Sequence, residues 1–203
     1  MKIIRDIDQG SEAWFQLRAG SVGASSLDKI ITSTGKRSTQ RKKYMYQLAG
    51  EKITGQQAES YTSAAMEEGI RREAESRELF ELIHDVEVEQ VGLIIPDGDP
   101  GFHVSPDGIL KDQGIRTGFE VKNPNMATHV EYLLKGVLPT KYKLQVKMCM
   151  YVSGFKYWYF MSHFGGLKPL LIKVPRDEGL IKIIGEELKL FVKELNEIIQ
   201  QIN

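Results

Sequence analysis

Apolar positions along this chain recur first at helical spacing, then at strand spacing, then at helical spacing again. Glu12 to Ala19 predicts a short helix, and Ala24 to Thr32 a second, entered through Gly23. Ser33 to Lys43 is polar and basic and reads as a loop running into a helix that continues through Thr54, where Gly55 breaks it. A long helix is expected from Thr62 to Ile83, with Ala65, Ile70, Ala74, Leu79 and Leu82 as its apolar stripe. Strands follow: Val86 to Ile95, Phe102 to Val104 after the Pro96–Gly101 turn, and Gly118 to Lys122. Helices are expected over Met126 to Lys135 and Lys141 to Val152, then strands over Phe155 to His163 and Leu167 to Val174. Asp177 to Ile202 closes the pattern with Ile184, Leu188, Phe191, Leu195, Ile198 and Ile202 at spacings of three and four. That run fits a coiled coil, or, more plainly, one amphipathic helix packed on its own sheet. Helices interleaved with a central mixed sheet predict an α/β (α+β) domain.

A chain of 203 residues suits a single domain, residues 1–203, and buries a core without covalent staples. Its single cysteine, Cys149, excludes an internal disulfide and a cysteine-rich zinc site. No stretch reaches the roughly 18–20 apolar residues of a membrane span, and Met1–Asp6 lacks the apolar core of a signal peptide. No membrane role and an intracellular location are therefore expected. The formal net charge is +0, which argues mildly against a nucleic-acid binder. The charge is nevertheless sorted. Lys29, Lys36, Arg37, Arg41, Lys42 and Lys43 fall in a stretch with no acidic residue, and residues 66–90 are strongly acidic. Sorting of this kind builds local fields that the total hides.

Val104-Ser-Pro-Asp-Gly-Ile-Leu110 and Phe119-Glu-Val-Lys122 carry the candidate chemistry. Alone, the first is a turn and the second a strand with one polar face. Together they imply more. Lys111-Asp-Gln-Gly114 allows a hairpin that brings Asp107 beside Glu120, with Lys122 two residues on and on the same face. Phe119 and Val121 then point into the core. Magnesium is held by hard oxygen ligands and keeps several waters, so one or two carboxylates suffice, with the Val121 carbonyl as a further ligand. A metal there polarises a phosphoryl oxygen and activates water, and a neighbouring lysine stabilises developing charge.

Pro106-Asp107 followed by Glu120-Val121-Lys122 resembles the PD-(D/E)XK nuclease motif. Gly10-Ser-Glu-Ala-Trp-Phe-Gln-Leu-Arg18 with Gly20-Ser-Val-Gly-Ala-Ser25 resembles the N-terminal signature of the lambda exonuclease-like, YqaJ-type viral recombinases. Glu68-Gly69 with Glu73, Tyr142-Lys-Leu-Gln145 and Tyr157-Trp-Tyr-Phe160 resemble that family's acidic helix, the helix after the active strand and the following strand. The resemblance implies a restriction-endonuclease-like core and a Mg²⁺-dependent enzyme, with two metals per site and Mn²⁺ able to substitute. It implies 5′→3′ digestion of linear double-stranded DNA, release of 5′ mononucleotides, and 3′ single strands left for a single-strand annealing protein in phage recombination. It also implies a toroidal homotrimer, encoded by a phage or prophage and acting in the bacterial cytoplasm. Position by position, Asp107, Glu120 and the Val121 carbonyl would hold metal, Lys122 would position the attacking water, and Glu73 would be an additional acid. Arg18 and Ser25 would receive a 5′-phosphate, Gln145 would lie near the site, and Arg37 is the candidate for a DNA contact from the basic loop.

Plainer roles exist for most of these residues. Glu73 sits in an acidic helix face that solvent alone would explain, Arg18 can pair with Glu12, and Ser25 can cap a helix. The aromatic run Phe155–Phe160 suits core packing better than base stacking. His84, His103, His129 and His163 show no paired ligand spacing. Where relatives carry tyrosine four residues after the glutamine, this chain has Cys149, with tyrosine at 151. The alternatives are a PD-(D/E)XK endonuclease, restriction or junction-resolving, and a non-catalytic DNA-binding recombination scaffold.

Overall fold

A computed structural model of the chain describes residues 1–57, 68, 71–98 and 100–202. Its centre is a five-stranded mixed sheet in the order β3–β6–β7–β8–β9, built from Val88–Glu89, Gly108–Asp112, Ile115–Lys122, Tyr157–Ser162 and Leu170–Pro175. β7 and β8 run parallel and the other neighbours antiparallel. Two small pairings stand beside it. β1 (Lys2–Ile4) is antiparallel to β4 (Leu93–Ile95), and β2 (Val22–Gly23) is parallel to β5 (Phe102–His103). Helices α1 (Glu12–Arg18), α2 (Arg41–Thr54), α3 (Glu73–His84), α4 (Met126–Lys135), α5 (Thr140–Ser153) and α6 (Glu178–Ile202) flank the strands. The mixed sheet with flanking helices is the architecture the sequence pattern predicts.

The β6–β7 hairpin sets the geometry that matters most. Gln113 and Gly114 both have positive φ, 49° and 80°, the twisted two-residue turn that favours hairpins. Asp112 then accepts from the Tyr157 and Tyr159 hydroxyls at 2.9 and 2.7 Å and from Lys173 at 3.0 Å. The resulting register, Gly108 against Phe119, sets Asp107 opposite Glu120. β7 continues into α4 and α5, which cross over to the parallel strand β8. Asn125 caps α4, its side chain accepting from the Thr128 amide at 2.9 Å.

Each face of the sheet has its own core. Phe80 of α3 packs with Phe119, Val121, Tyr159 and Met161 on one face. Trp158, Phe160 and Ile109 face the other, beneath α5 and the 3₁₀ turn Ala24–Lys29. Trp158 and Phe160 are fully buried, so the aromatic run is core, as expected. The tight strand-to-strand fit depends on Gly118, which pairs with Trp158. A Cβ there would lie 2.2 Å from the indole. Gly118→Ala is therefore expected to cost about 1–3 kcal/mol from overpacking, a drop of roughly 2–12 °C in a thermal melt. A melt unchanged by the substitution would show that Trp158 can move aside.

Three expectations are corrected. The strand expected from Val86 to Ile95 is two strands, because the chain leaves the sheet at Gly92 to pair with β1. The Gly92 amide donates to Ile4 O, and a Cβ on Gly92 would lie 2.4 Å from the Ile7 carbonyl. In α3 the fully buried positions are Ser76 and Phe80, whereas Ala74 and Leu82 are exposed. The earlier part of that expected helix, with Ala65 and Ile70, lies outside the described residues. The terminal helix α6 packs on α2 and α5 rather than directly on the sheet: Phe191 stacks on Tyr44 of α2, and Gly185 abuts Tyr151 of α5. Beyond what the sequence pattern shows, the polar face of β7 that carries Glu120 is covered. Glu120 is 0% exposed, because α5 covers it.

Candidate active site

The residues singled out in the hairpin converge at the C-terminal end of β7. The Val121 amide donates to Asp107 Oδ2 at 2.7 Å, which locks the carboxylate onto the strand. Lys122 Nζ lies 2.5 Å from Glu120 Oε1 and 3.8 Å from Asp107 Oδ2. Gln145 of α5 donates to Glu120 Oε1 at 2.5 Å. Glu120 Oε2 is buried with no hydrogen-bond partner among the described residues. Glu73, in the first turn of α3, faces the same group. Its pKa is raised by burial and by the charge of Asp107, with Lys122 and Arg77 opposing. Burial and Asp107 likewise raise Glu120. Burial works against the Lys122 ammonium, but Glu120 and Asp107 outweigh it and hold its pKa above the ordinary lysine range. Three carboxylates thus crowd one ammonium.

That arrangement fits a hard divalent cation. A buried oxygen lacking a partner is costly, and a cation bound there would supply one while relieving the carboxylate repulsion. Among the described residues no cluster of three or more His, Cys, Asp or Glu side chains forms a ready metal cage, but magnesium needs only one or two carboxylates.

The segment leading to Asp107 is pinned by the N-terminal region. Gln9 donates to Val91 O and Pro106 O, both at 2.8 Å. The Trp14 indole N–H reaches Gly92 O at 3.1 Å and Ser105 Oγ at 3.0 Å. Ser11 caps α1, and Trp14 and Arg18, one turn apart, share a face. The Arg18 guanidinium carbon sits 3.7 Å over the Trp14 ring. Its Nε donates to His103 Nε2 at 3.1 Å, and His103 Nδ1 meets Ser21 Oγ at 3.0 Å. These groups line a cleft of about 1000 Å³ together with Ser25, Tyr44 and Glu73. Glu73 is where the cleft and the carboxylate group meet.

The structure therefore brings Asp107, Glu120, Val121, Lys122, Gln145 and Glu73 together, and puts Arg18 and Ser25 in the adjoining cleft. Arg18 does not pair with Glu12, which instead accepts from Gln16. Ser25 does not cap a helix, because Gly23 occupies the cap position and Ser25 lies exposed within the 3₁₀ turn. Arg37 is apart from both groups: it is exposed and bonds Glu187 of α6 at 3.2 Å. Tyr151 stands 5.9 Å from Phe102, ring to ring, and packs in the core. Sequence reasoning missed His103 and gave Trp14 no role of its own. The available signal was that His103 lies between Phe102 and Val104, both buried, and a buried polar side chain needs partners.

Comparison with known proteins gives the family. Two solved structures of the alkaline exonuclease LHK-Exo from Laribacter hongkongensis, one of them in complex with dAMP, are 30% identical to this chain. Each alignment covers 95% of this chain and 96% of theirs, with a TM-score of 0.84. A phage-related exonuclease from Haemophilus somnus 129PT, 14% identical over 90% of this chain and 96% of its own, superposes with a TM-score of 0.69, which shows the shared fold. No curated protein sequence matches significantly. The YqaJ-like viral recombinase domain matches residues 13–156, a span that runs from α1 through the carboxylate hairpin to the start of β8. With its restriction-endonuclease-like fold, the chain belongs to the YqaJ-like viral recombinase family.

Proposed function

We propose that this chain is a Mg²⁺-dependent deoxyribonuclease, a 5′→3′ exonuclease acting on linear double-stranded DNA with phosphorylated 5′ ends. The observation that carries it is Asp107 held opposite Glu120 with the Lys122 ammonium between them, beside a cleft that presents Arg18. Asp107, Glu120 and the Val121 carbonyl would hold the metal, with Glu73 placed to serve a second. When bound, the cation supplies Lewis-acid stabilisation of phosphoryl charge. Lys122 donates toward the attacking water, Gln145 fixes the Glu120 carboxylate, and Arg18 clamps the terminal phosphate with its guanidinium fork. The likeness to an alkaline exonuclease solved with dAMP supports a mononucleotide product.

In this proposal residues 1–203 act as one nuclease domain that leaves 3′ single strands for an annealing protein. The assembly is a ring of three copies around DNA, in a bacterial cytoplasm. The test is digestion of a 5′-phosphorylated linear duplex and a closed circle, with Mg²⁺ and then with EDTA. Mononucleotides from the linear DNA alone, lost with EDTA, are expected. Cutting of the circle would indicate an endonuclease, and binding without cleavage a scaffold.

A further inference from the structure

An arginine that binds an anion must be held in a fixed plane without having its charge cancelled. A carboxylate partner does the first but not the second. Arg18 has no carboxylate within ion-pairing distance among the described residues, and its Nε–H is held instead by His103 Nε2 at 3.1 Å. Arginine Nε only donates, so this ring nitrogen carries no proton. The ring proton is then on Nδ1, donated to Ser21 Oγ at 3.0 Å. A doubly protonated ring would set N–H against N–H and a second positive charge beside the guanidinium. Burial, and then Arg18 itself, accordingly push the His103 pKa down to about 3, so the ring stays neutral across the physiological range.

The surroundings are built for this contact. β5 pairs with β2 so that His103 stands opposite Gly23. A Cβ on Gly23 would lie 3.3 Å from His103 Nε2 and 3.4 Å from a terminal nitrogen of Arg18. The Trp14 ring supports the guanidinium from one side. Of the other ionisable groups near Arg18, Glu51 of α2 acts through its charge, secondary to burial, whereas Tyr44 of α2, pushed up to about 12 mainly by burial, stays neutral. With Nε tied to the histidine, the terminal nitrogens remain for a ligand in the cleft.

We propose that His103 is a positioning residue for terminal-phosphate recognition: a neutral acceptor that fixes the Arg18 guanidinium toward the cleft while leaving its full charge for the phosphate. This rests on Arg18 being the phosphate-binding arginine. The experiment compares kcat/KM on 5′-phosphoryl and 5′-hydroxyl duplexes for the wild type, Arg18→Ala, His103→Leu and His103→Gln. Glutamine offers an acceptor oxygen near the Nε2 position, and leucine does not. The phosphoryl-to-hydroxyl ratio is expected to fall about tenfold in His103→Leu, the loss of roughly one charged hydrogen bond, and to recover in His103→Gln. An unchanged ratio in His103→Leu, with the ratio lost in Arg18→Ala, would overturn the role of His103 alone. Equal loss on both ends would reduce His103 to a structural residue. No phosphate preference in the wild type would remove the Arg18 reading itself. Should His103→Leu not fold, ¹H–¹⁵N correlation of the wild-type imidazole decides. A bare Nε2 with protonated Nδ1, unchanged from pH 8 to pH 5, is expected, and a protonated Nε2 would overturn the proposal.

Discussion

Lys122→Ala is expected to lower turnover by about 10²–10³-fold or more, the range seen when a donor aimed at transition-state charge is removed, with the fold retained. The loss follows from what the ammonium touches. Lys122 is the cation that bridges Asp107 and Glu120, and its raised pKa keeps it charged at any working pH. No other ammonium or guanidinium reaches these two carboxylates within ion-pairing distance among the described residues. Removing it would take away the donor proposed for the attacking water and would leave a buried carboxylate held by Gln145 alone. Such a group protonates rather than unfolding the protein, so circular dichroism should be unchanged while hydrolysis is lost. Two results would defeat this assignment. Near-normal digestion by Lys122→Ala would remove the lysine from the chemistry, and a lost fold would make it structural.

The parts of this site that were legible in the sequence are those that local geometry dictates. A two-residue turn at Gln113-Gly114 and strict alternation along Phe119–Lys122 suffice to place Asp107 beside Glu120, because a register slip would put Phe119 in the wrong layer. The amphipathic period of α6 was equally plain. What alternation does not reveal is the covering layer. Alternation gives Glu120 and Lys122 one shared polar face, and only the crossover through α4 and α5 buries that face and sets Gln145 on Glu120. The same holds for His103. Its partner Arg18 is 85 residues away in sequence, and they meet because a two-residue strand at Val22–Gly23 pairs in parallel with another at Phe102–His103. Strands that short carry almost no periodic signal. The partner of α6 was misjudged for a related reason, since a stripe of Leu and Ile does not say whether a helix or a sheet lies beneath it.

Magnesium is expected to raise the melting temperature of the metal-free protein, and Asp107→Asn or Glu120→Gln to abolish the shift. A ligand at 100 times its dissociation constant stabilises the folded state by about 2.7 kcal/mol, which for a chain of this size corresponds to roughly 5–11 °C. The folded site has a reason to take the ion. Glu73 and Glu120 are both raised by burial and by Asp107, and Glu120 Oε2 is a buried acceptor with no partner among the described residues. A divalent cation relieves both penalties at once, and the unfolded chain, with its carboxylates in water, has neither to relieve. The two substitutions preserve shape. Glutamine at 120 can still accept from Gln145, and asparagine at 107 can still accept from the Val121 amide, so their metal-free melts should stay closer to the wild type than their lost response would suggest. Because the readout is stability, it separates metal binding from catalysis. A wild-type melt unmoved by Mg²⁺ and Mn²⁺ would leave the crowded carboxylates unexplained. A full shift surviving in both variants would mean that the ion binds elsewhere.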